Sequence, residues 1–242
     1  MSEAQKTLKE RAAACGITLT PVQLEKFERY RALLLEWNQK MDLTAVTDAA
    51  GIDNRHFLDS LSLLRLFPGG LNGKICDIGT GAGFPSIPLK IMQPNLAMTL
   101  VDSLQKRITF LETVVDDLSL TDMTLLHERA EDFLKPNRDP LARGQFDFVV
   151  ARAVAPLPTL LEYTLPALRI GGKLLAMKGP QAEEELKTAQ NALTQLGGVV
   201  ETIDSFRWTE EQWERVNICI VKVAETPARY PRSGGKAKKR PL

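Results

Sequence analysis

Residues 75–89 read ICDIGTGAGFPSIPL: an apolar run interrupted by an acid, a turn with three glycines, then more apolar residues. A β-rich run followed by such a turn marks the end of a strand in an open α/β sheet, where ligands bind beyond the C-terminal strand ends. Gly79, Gly81 and Gly83 let the backbone approach a ligand closely and adopt conformations closed to other residues. The dinucleotide fingerprint G-x-G-x-x-G is not met. Its third glycine comes one residue early and Phe84 takes its place. Phe84-Pro85 is also a poor start for a helix meant to hold a pyrophosphate.

Working outward, short β-rich runs alternate with amphipathic helical stretches. The expected strands are KICDI, AMTLVD, MTLLH, FDFVVA, GKLLAM, VVETI and NICIVKV. Between them lie the helical stretches SLQKRITFLETVVDDL, PLPTLLEYTLPALR and AEEELKTAQNALTQLG. Alternation of this kind predicts an α/β fold with a mostly parallel seven-stranded sheet covered by helices. The last two strands have only DSFRWTEEQWER between them, so they are expected to pair as an antiparallel hairpin at one edge.

Two acids bear on the ligand. Asp77 precedes the glycine turn by two residues, and Asp102 ends the second strand, where a carboxylate can accept both hydroxyls of a ribose. An acid before the turn suits a positively charged ligand better than a diphosphate. S-adenosylmethionine, with a sulfonium, an ammonium and no phosphate, fits that description. Thr80 belongs to the same loop, and Ala130 and Glu131, in HERAEDF after the third strand, are candidates to border an adenine. The plainer readings are an ordinary tight loop and a solvent-facing Glu131.

The fourth strand runs into VVARAVAPLPTL, which lacks the Asn/Asp-Pro-Pro-aromatic turn of enzymes that methylate exocyclic amines. No cysteine stands where a pyrimidine-carbon methyltransferase needs its nucleophile. An acceptor with its own lone pair, such as a purine ring nitrogen, remains. Arg152 stands where that nucleophile approaches and can donate to a base or phosphate or stack on a ring. The competing reading is a structural ion pair. Lys178, after the fifth strand, is a second cation at the same sheet edge.

Residues 1–70 read as a helical extension, 71–225 as the α/β core and 226–242 as a basic tail. In the extension, Thr20, Pro21 and Gln23 form a helix-start signature before the stripe Leu24, Phe27, Leu34, Trp37 and Met41. A second helix puts Ile52, Leu58, Leu61 and Leu64 on one face. Arg55 and Asp59 are spaced as an i, i+4 pair, and so are His56 and Ser60. That polar patch either closes the cofactor pocket or forms a buried network between helix and core.

The net charge of +1 conceals an asymmetry: Arg229, Arg232, Lys236, Lys238, Lys239 and Arg240 crowd the tail without an acid, leaving 25 basic and 30 acidic residues elsewhere. Such a tail either binds nucleic acid or is a disordered, solubilising end. The three cysteines are scattered and the two histidines isolated, so no metal site and a reducing, cytoplasmic setting are expected. The opening MSEAQKTLKERAAACG has charges where an export signal has its apolar centre, and no run is long enough for a membrane span.

The stretches EWNQKMDLTAVTD, RHFLDSLSL, DIGTGAGFPSIPL, TLVDSLQKRITFLE, RAEDF, ARAVAPLPTLLEY, GGKLLAMKGP and ARYPRSGGKAKKRPL, in this order, resemble the bacterial 16S rRNA guanine-N7 methyltransferases, the glucose-inhibited division protein B family. The resemblance implies a class I S-adenosylmethionine-dependent methyltransferase core, cofactor contacts at Gly79, Phe84, Leu100, Val101, Asp102, Ala130, Glu131 and Arg152, and an acceptor at N7 of one guanine in a small-subunit hairpin loop near the decoding centre. It implies 16S rRNA or the small ribosomal subunit as partner, with Arg55, His56, Lys178 and the tail cations as candidate RNA contacts, and a monomer. Asp42 stands where the family usually has Asn and Ser86 where it usually has Gly; neither is expected to touch a cofactor residue. The alternatives are an RNA-binding protein with a non-catalytic nucleoside pocket, which the intact glycines and acids oppose, and a nicotinamide dehydrogenase, which Phe84 opposes.

Overall fold

The computed structural model describes residues 6–136, 142–207 and 213–242. The chain opens with helices α1 (Leu8–Ala14) and α2 (Pro21–Asn38). Thr20 accepts from the backbone N–H of Gln23 while the Gln23 side chain accepts from that of Thr20, and Pro21 fills the first helical position, as the sequence indicates. The next helical run is not uniform. It starts as α3 (Ala49–Ile52), widens into a π turn over Asp53–Leu58, continues as α4 (Asp59–Leu61) and tightens to a 3-10 end at Ser62–Leu66.

Strand β1 (Lys74–Ile78) then enters the sheet and leads through the glycine turn to α5 (Ser86–Met92), a helix that the Phe84-Pro85 reading did not anticipate. There follow β2 (Ala97–Asp102), α6 (Gln105–Asp117), β3 (Met123–His127), α7 (Ala130–Phe133), β4 (Phe146–Arg152) and α8 (Leu157–Thr164). The chain continues with β5 (Leu168–Lys178), α9 (Ala182–Thr188), α10 (Gln190–Leu196), β6 (Gly198–Arg207), β7 (Glu214–Lys222) and the short α11 (Lys236–Lys239). The strands lie in the order β3-β2-β1-β4-β5-β7-β6. The first five are parallel, and β7 runs antiparallel to both β5 and β6. The link expected between the last two strands lies partly outside the described residues.

Alternation along the strands sorts side chains onto two faces. Ile75, Leu100, Val150 and Leu175 join one apolar cluster, built with α2, α5, α6 and the π-turn segment. Cys76, Val101, Val149 and Ala176 join the other, built with α8 and α10. Burial on both faces explains why these strands read as unbroken apolar runs. The same alternation puts Asp77, Asp102 and Arg152 on the face shared with the N-terminal helices. That extension shares its core with the sheet, because Phe27, Tyr30, Leu34 and Phe57 are wholly buried within the first cluster.

The tail is not a loose end. Tyr230 and Ala237 are buried, and Arg232 pairs with Glu162 on α8, whose side chain has no exposure. No helix among the described residues is long and apolar enough to cross a membrane. No cluster of histidine, cysteine or carboxylate side chains among them could hold a metal ion.

Candidate functional site

The glycine turn is held from three sides. The Gly79 and Thr80 N–H groups donate to the Val101 carbonyl, and the Gly81 N–H donates to Asp102 Oδ2 at 2.9 Å. From the N-terminal extension, the buried Tyr30 hydroxyl donates to the Ala82 carbonyl at 2.5 Å. Gly79 (φ 76) and Gly81 (φ 62) adopt left-handed conformations. A Cβ at Gly81 would meet nothing within 4 Å, so the turn opens there onto free space. Gly83 serves a different purpose. A Cβ there would come within 2.6 Å of Ile87 and 2.9 Å of Leu111, so this glycine is required by core packing rather than by a ligand.

Asp102 is 2% exposed and accepts from the N–H groups of Gly81 and Leu104 and from the Arg107 guanidinium at 3.1 Å. It lies in a cleft of about 430 Å³, ample for a nucleoside. Gly79, Val101, Asp102, Ala130 and Glu131 all line that cleft, bringing together candidates from three strand ends. Leu100 does not join them; its side chain is in the core. The Phe84 ring is also buried, packed on Tyr30 and His56.

Asp77 lies beneath the turn, 1% exposed. Its Oδ2 accepts from the Ser86 hydroxyl at 2.6 Å, which corrects the expectation that Ser86 touches no cofactor residue. Asp42, the other departure from the family pattern, is exposed beyond α2. Asp77 Oδ1, Thr80 Oγ1 and Arg107 Nε are buried without hydrogen-bond partners among the described residues. Of these three residues Arg107 lines the cleft, whereas Asp77 and Thr80 lie beneath the turn, close enough for the Thr80 hydroxyl to act on the Asp77 carboxyl. An unpartnered Arg107 N–H beside the Asp102 carboxylate suits a polar ligand such as S-adenosylmethionine, with Asp102 for its ribose, Ala130 and Glu131 beside its base, and Asp77 supplying negative charge from below.

Burial pushes the Asp77 carboxyl up to about 7, against the pull of the Ser86 hydrogen bond. Because the folded value lies above the unfolded one of about 4, its contribution to stability is complete below pH about 4 and is lost as pH rises through 7. A cationic ligand reverses the preference by favouring the carboxylate. Affinity for S-adenosylmethionine should therefore rise as pH increases from about 5 to 7, at up to about tenfold per unit, with proton release on binding. Calorimetry in buffers of different ionisation heat checks this, and Asp77→Asn should flatten the profile. A wild-type profile already flat would show that Asp77 does not sense the ligand's charge.

A second cleft adjoins the first across Ala153 and Val154, which line both. Ala153 has φ 56, an unusual conformation for a residue with a Cβ and one that recurs at functional sites. Around this cleft stand Arg55, His56, Asp59, Arg152, Lys178, Glu185 and Arg215: four cations against two acids. Arg152 donates to the Arg55 carbonyl at 2.9 Å, to Asp59 at 3.2 Å and to His56 Nδ1 at 3.3 Å, with its guanidinium 4.8 Å from the Phe84 ring centre. Three of its five N–H donors are thus engaged and two remain.

The π turn changes the expected pairing nearby. The Asp59 N–H reaches back to Asn54, and the Asp59 carboxylate goes to Arg152 and, at 2.7 Å, to Arg215 instead of serving Arg55 one turn earlier. Ser60 donates to the His56 carbonyl rather than to its ring. Burial and the adjacent Arg152 push His56 down to about 4, so its ring is neutral at ordinary pH. His56 Nδ1 lies 3.0 Å from the Arg55 carbonyl and 3.3 Å from Arg152, and Nε2 lies 2.7 Å from the Thr44 hydroxyl, so the tautomer sets whether Nδ1 donates to the carbonyl or accepts from Arg152. His127 meets the Ser103 carbonyl at 3.1 Å, remote from this cleft. Lys178 is tied to the Ala155 carbonyl and to Glu185.

The tail cations divide. Arg229 lies over Tyr230, Arg232 is committed to Glu162, Lys236, Lys239 and Arg240 are exposed, and Lys238 lines the first cleft. Tyr30, Ser86, Arg107, Tyr163 and Arg215 were not singled out by the sequence as site residues. Ser86 stood out only as a departure from the family pattern, and Tyr30 left a trace three residues after Phe27 on the same helical stripe.

The chain matches the model of the GidB family, rRNA small subunit methyltransferase G, over residues 23–213. It is 48% identical over 238 residues to the ribosomal RNA small subunit methyltransferase G of Geobacillus thermodenitrificans, covering 98% of this chain and 97% of that one. It is 49% identical over 227 residues to the protein of the same name from Desulfitobacterium hafniense, covering 94% and 92%. Among solved structures, a SAM dependent methyltransferase from Aquifex aeolicus shares the fold with a TM-score of 0.53 at 19% identity, over 77% of this chain and 98% of that one.

Proposed function

This chain belongs to the rRNA small subunit methyltransferase G family and is an S-adenosylmethionine-dependent methyltransferase; from that premise we propose that its acceptor is N7 of one guanine in a hairpin loop of 16S rRNA near the decoding centre. The observation that supports this reading is the pair of clefts sharing the Ala153–Val154 wall, one floored by Asp102 and the other rimmed by four cations. The first suits a nucleoside with a positive charge, and the second a guanine and its phosphates.

When bound, S-adenosylmethionine supplies an electrophilic methyl group on its sulfonium. The protein's residues then have three tasks. The Gly79–Gly81 backbone, Asp102 and Glu131 fix one reactant, while Arg152, Arg55 and Arg215 hold the other. The two spare N–H groups of Arg152 can donate to the base edge. The layer of buried Phe84 and Tyr30 with half-buried His56 keeps water from beneath them. Guanine N7 has an in-plane lone pair and no proton, so no side chain need act as a base. This agrees with a neutral His56 and a permanently charged Arg152. Positive charge passes from sulfur to the imidazole ring, so alignment and desolvation supply the acceleration.

The test is methyl transfer from labelled S-adenosylmethionine to naked 16S rRNA and, separately, to isolated small subunits. Borohydride and aniline cleavage then locates any N7-methylguanine. Label at a single cleavable guanine in either substrate is expected. Label on an exocyclic amine or a pyrimidine carbon would defeat the assignment.

A further inference from the structure

The chain after β7 crosses the α8 side of the sheet and ends up at the cofactor cleft. Arg143 donates to the carbonyls of Thr226 (2.5 Å) and Tyr230 (2.7 Å), and the Tyr230 hydroxyl donates to Gln195 at 2.5 Å. The Arg232 backbone N–H and guanidinium both bond the Glu162 carboxylate, at 2.6 and 2.7 Å. Farther on, the buried Ala237 offers its carbonyl to the Thr159 hydroxyl at 3.2 Å. Two anchor points on one helix thus fix the intervening Gly234-Gly235 turn, in which both glycines are left-handed. Beside that turn Gly235 and Lys238 line the cofactor cleft together with Tyr163 of α8.

We propose that Gly235–Lys238 forms a wall of the cofactor cleft at its nucleoside end, and that Lys238 is a cofactor-binding residue donating to the base or ribose. Tyr163 locates that end. Burial raises its phenol, and the charges acting on it are Glu131 and Arg129 on the cleft side and Glu162 and Arg232 on the tail side. Glu131 and Tyr163 line the cleft together with Gly235 and Lys238, whereas Asp77 and Arg152 are not among its lining residues. Among the described residues Lys238 has no ion-pair partner, whereas Arg232 is engaged by Glu162. Its three N–H donors suit the uncharged nitrogen and oxygen acceptors of an adenosine. The basic run is then split by function: Lys236, Lys238, Lys239 and Arg240 are all exposed, and of these Lys238 lines the cleft. The proposal depends on the cofactor alone and not on the identity of the methyl acceptor.

Calorimetry on the full-length chain tests it with three probes: S-adenosylmethionine, S-adenosylhomocysteine and methylthioadenosine, which keeps the nucleoside and lacks the amino acid. Lys238→Ala should weaken all three by about fivefold to tenfold, the equivalent of one lost hydrogen bond, while Lys236→Ala and Lys239→Ala leave them unchanged. Lys238 is exposed, so its replacement should not alter the melting temperature. S-adenosylhomocysteine should also slow trypsin cleavage within residues 236–240. Unchanged affinity for all three probes in Lys238→Ala would overturn the proposal. So would a loss confined to the two probes that carry the amino acid, because Lys238 would then serve the other end of the cleft.

Discussion

Asp102→Ala is expected to weaken S-adenosylmethionine binding by about ten- to a hundredfold, since a hydrogen bond to a charged acceptor contributes about 1.5–3 kcal/mol. The structure adds a second reason to expect the upper part of that range. The carboxylate that would receive the ribose also holds the N–H groups of Gly81, in the glycine turn, and Leu104, at the start of α6. Removing it takes away a ligand contact and unpins the turn that shapes the cleft. Asp102→Asn is not a mild control. One amide position becomes a donor and confronts either an N–H group or the Arg107 guanidinium. Calorimetry with S-adenosylmethionine, on protein shown to melt cooperatively, decides the matter. Native affinity in such a variant would place the ribose elsewhere.

Arg152→Ala should lower both stability and turnover, and Arg152→Lys should separate the two effects. Losing the guanidinium leaves Asp59, 3% exposed, with Arg215 as its remaining ion-pair partner and strips donors from the Arg55 carbonyl and His56. Breaking a buried pair costs about 3–5 kcal/mol, and the surviving Arg215 contact argues for the lower end. In a chain of this size that is a fall of roughly 6–12 °C in melting temperature. Lysine restores the charge beside Asp59, and with it most of the stability. It does not restore the planar fork that bonds Asp59, the Arg55 carbonyl and His56 together. Single-turnover methylation by the lysine variant should stay about ten- to a hundredfold slow, as expected when a positioning group shifts by about an ångström. Wild-type turnover in Arg152→Lys would reduce Arg152 to a structural ion pair.

The residues legible from sequence were those whose signal is local. All seven strands were marked by β-rich runs; burial on both faces strips polar residues from the central strands, while the half-exposed edge strands β3 and β6 kept theirs, and Asp102 stood out as an acid closing a central run. The glycine turn was legible as a ligand loop, but Gly83 was not separable from its neighbours, since only three-dimensional packing sets it against Ile87 and Leu111. The helix Ser86–Met92 was hidden by a proline just before it. The π turn is one residue wider than an α-helical turn, a difference that hydrophobic periodicity over so short a run does not resolve. Arg215 and Arg107 were missed for a simpler reason: a lone arginine announces a role only when its carboxylate is known, and the partner of Arg215 is Asp59, far back in the chain. The docking of the basic tail was invisible for the same reason, because Glu162 reads as one polar residue within an amphipathic helix.

The strand order also governs how the chain reaches this structure. Ile75 of β1 pairs with Met98 on one side and Phe148 on the other. A chain emerging from its N-terminus can form the β1, β2 and β3 ladder while β4 is still missing. During that interval β1 offers an unpaired apolar edge, with Ile75, Cys76 and Ile78 exposed along it, as a template for another chain's strand. Parallel pairing between such distant segments is slow to form. Newly made protein is therefore expected to be most prone to aggregation before residues 146–152 dock, and lower temperature during synthesis should raise the soluble yield without any change in the finished fold.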